Sequence, residues 1–306
     1  MPIIEFDLSC LSRARELFIP GDSNDTLIIS LEELGAELSN RVGAFNNAPQ
    51  LLSSMRKYLI HSSKLVEAIT YASDRLTDIL VRHQQIIWMR QALDYKAESD
   101  IIAQVSDSKA ASWRMFLGLA IKDFHQDVSS LMDSLAPVII QANGQLKSVD
   151  KVRLPGWEAI TSRSRNGRNY RKQLSTNIAK IVDKAESWWA GIREVRHLVT
   201  HRKHDMIVFG NPEDGLLFQI YDQARSPKIL LPQVLYHKGY NVVDFDLYSA
   251  FVIAEVVMLL DDLGVAIAPM MQIPRTSYAQ MSLRMVDKSL ALSIERLIQL
   301  CDTTQL

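Results

Sequence analysis

Three long stretches in which apolar residues recur every three or four positions constrain this chain more than any other feature. In residues 50–96, Leu51, Met55, Leu59, Leu65, Ile69, Leu76, Leu80, Ile87 and Met89 keep that rhythm, which gathers side chains on one side of a helix but scatters them across both faces of a strand. The run reads as a helix hairpin. Residues 108–142 repeat the pattern, with a kink expected at Pro137, where the ring crowds the preceding turn, and a stop at Gly144. In residues 177–201, Ile181, Ala185, Trp188, Ile192, Val195 and Val199 make one narrow apolar stripe. Such helices hide their stripes against one another, so the expected fold is mainly α, an antiparallel helical bundle.

Shorter signals fill the gaps. Ser30-Leu31-Glu32-Glu33 has the Ser-x-x-Glu spacing of a capping box and opens a helix that Asn46-Asn47-Ala48-Pro49 closes. Two short apolar runs around residues 206–221 flank Gly210-Asn211-Pro212-Glu213-Asp214-Gly215, which reads as a small β-hairpin inserted after the third long helix. A short further strand is expected near Ile229-Leu230-Leu231. Asn241-Val242-Val243-Asp244 offers a polar cap to an apolar helix running through Leu263, and a final amphipathic helix covers residues 277–300. This divides the chain into an N-terminal helical region, 1–105, and a bundle, 106–306, free to form one continuous domain.

Composition narrows the function classes. With 47% hydrophobic residues the chain is not a disordered one, and its 34 Lys plus Arg against 35 Asp plus Glu provide no global attraction to a polyanion. Residues 251–260 are the most apolar stretch, but Glu255 lies inside and Asp261-Asp262 close it, so it reads as a core helix and not a membrane span. Residues 1–7 carry no basic start followed by an apolar run, and the two cysteines, Cys10 and Cys301, supply neither a disulfide framework nor a thiolate metal site. A cytoplasmic protein is expected. The chain contains no Gly-x-x-x-x-Gly-Lys phosphate loop, Gly-x-Ser-x-Gly elbow or Gly-x-Gly-x-x-Gly fingerprint.

Two places carry charge in a pattern worth chemistry. Residues 146–176, rich in Pro, Gly, Ser and Asn, read as a basic loop, and residues 147–172 hold eight basic side chains against Asp150 and Glu158. Arg163, Arg165, Arg168, Arg171 and Lys172 suit phosphates and Tyr170 suits stacking on a base, as in single-stranded RNA; a solvated linker has the same composition. On the third helix, at about 100° per residue, Arg193, His197, His201 and His204 form a second stripe roughly opposite the apolar one, with Arg196 between the two. Arg202 and Lys203 extend this cationic end. Basic residues there also suit a solvated helix C-terminus, where they meet the helix dipole.

The Arg196-His197-x-x-x-His201 run is similar to the Arg-φ-x-x-x-His motif of HEPN domains, in which φ is commonly Asn, Asp or His. That motif lies toward the end of a bundle helix, as here, so the resemblance covers six positions in motif and the 108–263 region in architecture. It implies a metal-independent endoribonuclease that needs no cofactor and acts as a homodimer, two motifs meeting to form one composite site. His201 would then exchange protons with the ribose 2′-hydroxyl and the leaving oxygen, Arg196 would hold the phosphate, and His197 would orient the site. The resemblance also implies a toxin or defence effector, and leaves room for an antitoxin or nucleotidyltransferase partner. Two rivals stand beside it. One is a non-catalytic HEPN-like module for dimerisation or for binding RNA or protein; the other is a metal-dependent phosphohydrolase in which His197, His201 and His204, followed by Asp205, ligate the ion. Leu198 stands where a His-Glu-x-x-His motif needs Glu, which weighs against the second.

Overall fold

The computed structural model describes residues 8–46, 53–92, 108–144, 156–161, 170–201, 207–211, 215–219, 231–237, 242–272 and 284–304. Most of them are helical. The helices are α1 (Leu8–Glu16), α2 (Ser30–Asn46), α3 (Ser53–Ala92), α4 (Ser108–Ala142), α5 (Thr176–His201), α6 (Phe245–Ile267) and α7 (Lys288–Thr304). Two three-stranded antiparallel sheets accompany them. One has the order β1 (Phe18–Ile19), β2 (Asn24–Leu27), β6 (Arg284–Asp287), and the other β3 (Ile207–Asn211), β4 (Gly215–Gln219), β5 (Val242–Asp244).

The hairpin expected over residues 50–96 is instead one helix, α3, of 40 residues. At 1.5 Å per residue it is about 60 Å long. The reason is in the sequence: no Gly or Pro falls between positions 51 and 92 to break it. Its buried face, Leu65, Ile69, Ala72, Leu76, Ile79, His83 and Ile86, alternates steps of four and three, a straight seam that a second helix can follow. That second helix is α4, antiparallel to α3. Gln141 Nε2 meets His61 Nδ1 at 2.9 Å at one end of the pair, and Arg82 Nε meets Asp127 Oδ2 at 3.3 Å further along. Helix α4 continues through Pro137, whose neighbours from Ser134 to Ala142 are all buried. It ends at Gly144, where φ is +69° and the amide donates to the Gln141 carbonyl at 2.9 Å, a left-handed stop that other residues adopt at a cost.

Helix α6 is apolar almost all round, so it can only be central. Nineteen of its 23 residues are buried. Its N-terminus is capped by Asp244, which accepts from the Leu247 amide at 3.1 Å, in line with the polar cap read from the sequence. Its far end anchors α2, and there the capping-box reading of Ser30 fails. The Ser30 amide and hydroxyl both donate to Asp261 Oδ1, at 3.0 and 2.5 Å; a carboxylate brought by α6 takes the place of a local cap. Gly264 permits that approach, since a Cβ there would lie 2.2 Å from the Leu31 nitrogen and 2.3 Å from the Ser30 carbonyl carbon.

The β-hairpin after α5 forms as read, with Val208 opposite Phe218. The third strand among the described residues is β5, whose Val243 pairs with Phe218 from the other side; of the strand expected near Ile229-Leu230-Leu231 only Leu231 is described, outside any strand, while Ile229 and Leu230 lie outside the described residues. Strands β1 and β2 were not legible: the four residues of β2 pair with β6, near the opposite end of the chain. One continuous hydrophobic cluster takes in side chains from every helix, α1 to α7. No helix among the described residues is long and apolar enough to cross a membrane.

Candidate functional site

Helix α5 buries Ile178, Val182, Ala185, Trp188, Trp189, Ile192 and Val195, a wider face than the narrow stripe suggested, because the two tryptophans pack edge to face, with centroids 6.3 Å apart. Ile181, placed on the stripe, is only half-buried. Burial of this face turns His197 to solvent and leaves Arg193 and Arg196 half-buried at the flanks. The helix ends at His201, whose side chain, like that of Val199, lies outside the described residues; so do Arg202, Lys203, His204, Arg163, Arg165 and Arg168.

The described basic residues differ in what holds them. Arg193 Nη1 lies 3.3 Å from Glu186 Oε1, and Glu186 Oε2 accepts from Trp157 Nε1 at 3.1 Å, so the arginine helps tie the fully buried Trp157 to α5. Arg171 is ion-paired with Asp183 on the same helix. Tyr170 packs half-buried against the hydrophobic cluster, while Lys172 is exposed. Arg196 is different: its Nε donates to Gln126 Oε1 of α4 at 3.2 Å, and no carboxylate among the described residues pairs with it. Half-buried Arg15, Arg41, Arg75, Arg82, Arg90 and Arg193 all meet carboxylates. A guanidinium held by a neutral amide keeps its full charge for an anion.

Behind Gln126 lies a buried cluster that sequence reasoning missed. His125 is fully buried, with Nδ1 2.7 Å from the Ile121 carbonyl and Nε2 2.8 Å from the Tyr248 hydroxyl. The carbonyl can only accept, so Nδ1 carries the proton and Nε2 accepts from the tyrosine. Phe218 and Phe124 meet this ring edge-on. His83 of α3 stacks on Phe245 at 6.3 Å. Burial drives both imidazoles down from the ordinary 6.5 to about 4, in His83 against the pull of Asp246 and Asp287 and in His125 against its backbone hydrogen bond. Burial likewise pushes the Tyr248 hydroxyl well above its usual range. The signal was present, since His83 continues the Leu76-Ile79 seam and His125 falls at helical spacing between Ile121 and Val128.

A concavity among the described residues lies between α5 and α6, where Ile181, Lys184 and Trp188 face Glu255, Met258 and Asp262. Its volume of about 10 Å³ is room for roughly one water molecule, far below the roughly 300 Å³ at which small-molecule pockets begin. No group of three or more His, Cys, Asp or Glu side chains that could hold a metal occurs among the described residues, which do not include the His201 and His204 side chains. The chain matches no protein-family model, no curated protein and no solved structure.

Proposed function

We propose that the C-terminal end of α5 is the catalytic end of a metal-independent, HEPN-like endoribonuclease that cleaves single-stranded RNA as a homodimer. The observation that carries the reading is Arg196: a half-buried residue, one position before exposed His197, whose guanidinium is held at the surface by Gln126 and, among the described residues, by no carboxylate. Such a group suits a phosphodiester, whose negative charge grows as the reaction proceeds. The Arg196-His197-x-x-x-His201 spacing supplies the rest of the motif.

In this reading His201 of one copy takes the proton of a ribose 2′-hydroxyl as its oxygen bonds to phosphorus. The bond from phosphorus to the 5′-oxygen breaks, and that oxygen takes a proton from His201 of the second copy. The products are a 2′,3′-cyclic phosphate and a 5′-hydroxyl, and DNA, lacking the nucleophile, is spared. Arg196 braces the phosphorane-like transition state, and His197 orients the site.

The test is cleavage of a mixed-sequence single-stranded RNA in excess EDTA by the wild type and by His201→Ala. Cutting by the wild type alone, with cyclic-phosphate ends, supports the reading. If neither protein cuts, the reading falls and a non-catalytic RNA- or protein-binding module takes its place; activity lost to EDTA and restored by zinc or manganese points to the metal-dependent alternative.

A further inference from the structure

We infer that Gln126 is the positioning residue of this site: it holds the Arg196 guanidinium through Nε at the surface and, as an amide, adds no negative charge of its own against the phosphodiester. The inference rests on the ribonuclease reading. With Nε engaged by Gln126 Oε1 at 3.2 Å, the two Nη groups form the remaining fork, the edge of a guanidinium that grips two phosphate oxygens. Orientation of a long, flexible side chain matters because a misplacement of about 1 Å can cost 10²-fold in rate.

Gln126 is itself well placed for the task. Its neighbour His125 is fully buried with both ring nitrogens committed, one to Ile121 in its own helix and the other to Tyr248 of α6. Helix α4 therefore cannot rotate without breaking a buried hydrogen bond, and Gln126 leaves it on the side that faces Arg196. The Gln126 carbonyl also accepts from the Ser130 hydroxyl at 2.9 Å. The amide character of the side chain is the other half of the argument. A glutamate at position 126 would make the same contact and a stronger one, as carboxylates do for the half-buried arginines named above, yet it would cancel the charge that an RNA phosphate needs. Glutamine keeps the geometry and leaves the charge.

The experiment compares Gln126→Glu and Gln126→Ala with the wild type and with Arg196→Ala, measuring kcat and KM on single-stranded RNA in EDTA, and Tm. The expected order of kcat is wild type, Gln126→Ala, Gln126→Glu: a loss of about 10-fold for the alanine and about 100-fold for the glutamate, with the Tm of Gln126→Glu equal to or above that of the wild type. In an Arg196→Ala background, Gln126→Glu should cause little further loss, since the two act as a unit. A merely structural contact gives the reverse order, with glutamate conserving function better than alanine, and that outcome overturns the inference. A wild type that cuts and an Arg196→Ala that does not, with both Gln126 variants fully active, overturn it too and leave the ribonuclease reading standing. A wild type that does not cut removes the reading and the inference together.

Discussion

His125 and His197 stand on neighbouring helices and belong to opposite regimes. His125 lies in a dry pocket of α4, both ring nitrogens bonded and burial holding it neutral down to about pH 4. His197 sits exposed near the end of α5, one position past an arginine that no described carboxylate neutralises. The first environment fixes helices; the second presents side chains to solvent. Gln126 joins the two, being adjacent in sequence to the buried imidazole and bonded to the guanidinium of half-buried Arg196. A rigid frame beside an exposed end is the arrangement a positioned catalytic group requires.

The largest effect that would test this contrast is functional. Arg196→Ala and His201→Ala should each lower RNA cleavage in EDTA by about 10³-fold, the range for removing a charge-stabilising or proton-transferring group. The Tm should move by no more than about 2 °C if both residues serve chemistry and not packing. A Tm fall of 10 °C in either variant would put that residue in the frame. The converse holds for Gly264→Ala, which drives a methyl group into backbone atoms 2.2 and 2.3 Å away. Neither α2 nor α6 can yield there without losing the Ser30–Asp261 bonds, so a loss of about 3 kcal/mol or more is expected in denaturant unfolding. If the variant is as stable as the wild type, the two helices are not held at this contact.

Acid should separate the regions next. The folded-state values of His83 and His125 lie near 4 and the ordinary value is 6.5, so the unfolded chain binds protons that the folded chain refuses. Stability from these groups is fully present above about pH 6.5 and is lost as pH falls toward 4, by roughly 3 kcal/mol for each histidine. Asp246, Asp287 and Arg90 are the charged groups that act on His83, whereas among the described residues no charged group acts on His125, which meets Tyr248, Phe218, Phe124 and the Ile121 carbonyl. His125→Gln, which keeps an acceptor for Tyr248, should therefore remove about half of the Tm decline between pH 6.5 and 4.5 while leaving cleavage at neutral pH within about twofold. An unchanged pH profile would show that the buried imidazole does not resist protonation.

What could be read from the sequence follows the range of the interactions involved. Helices α4, α5 and α6 were legible because the pattern that marks each is local: regular apolar steps in α4 and α5, and a nearly unbroken apolar run behind a polar cap in α6. The hairpin β3–β4 was legible because turn residues lie between two apolar runs. Helix α3 is harder to read as one piece, because at 40 residues its regular seam exceeds the length of common helices; the lack of Gly or Pro between positions 51 and 92 is the signal of its continuity. The sheet that joins Asp25 to Val286 and the Asp261 carboxylate that receives Ser30 depend on residues more than 200 positions apart, which no local pattern encodes. At the site, the Arg196 and His197 faces were legible from the helical angle. Gln126 was not, since a glutamine on a mixed helix face carries no signal until a second helix is laid beside it.

The smallest effect concerns Arg193, which shares the helix face of His197 by angle but not by environment. Its guanidinium meets Glu186, and Glu186 also accepts from the Trp157 indole. Removing the arginine leaves a carboxylate that still has one donor, at a site where water reaches a quarter of the arginine side chain. Arg193→Ala should then cost only about 0.5–1 kcal/mol of stability, the range for a partly exposed ion pair. If Arg193 belongs to the frame, its loss leaves the KM for RNA within about twofold and its salt dependence unchanged, whereas a cation that contacts a phosphate would reduce the salt slope by about one. The second outcome would extend the exposed end by about one turn of α5 and place the RNA backbone along the helix, toward Glu186 and Trp157. The first confines the phosphate site to Arg196 and the residues that follow it, because a guanidinium already neutralised by its own chain adds nothing to the field an RNA approaches.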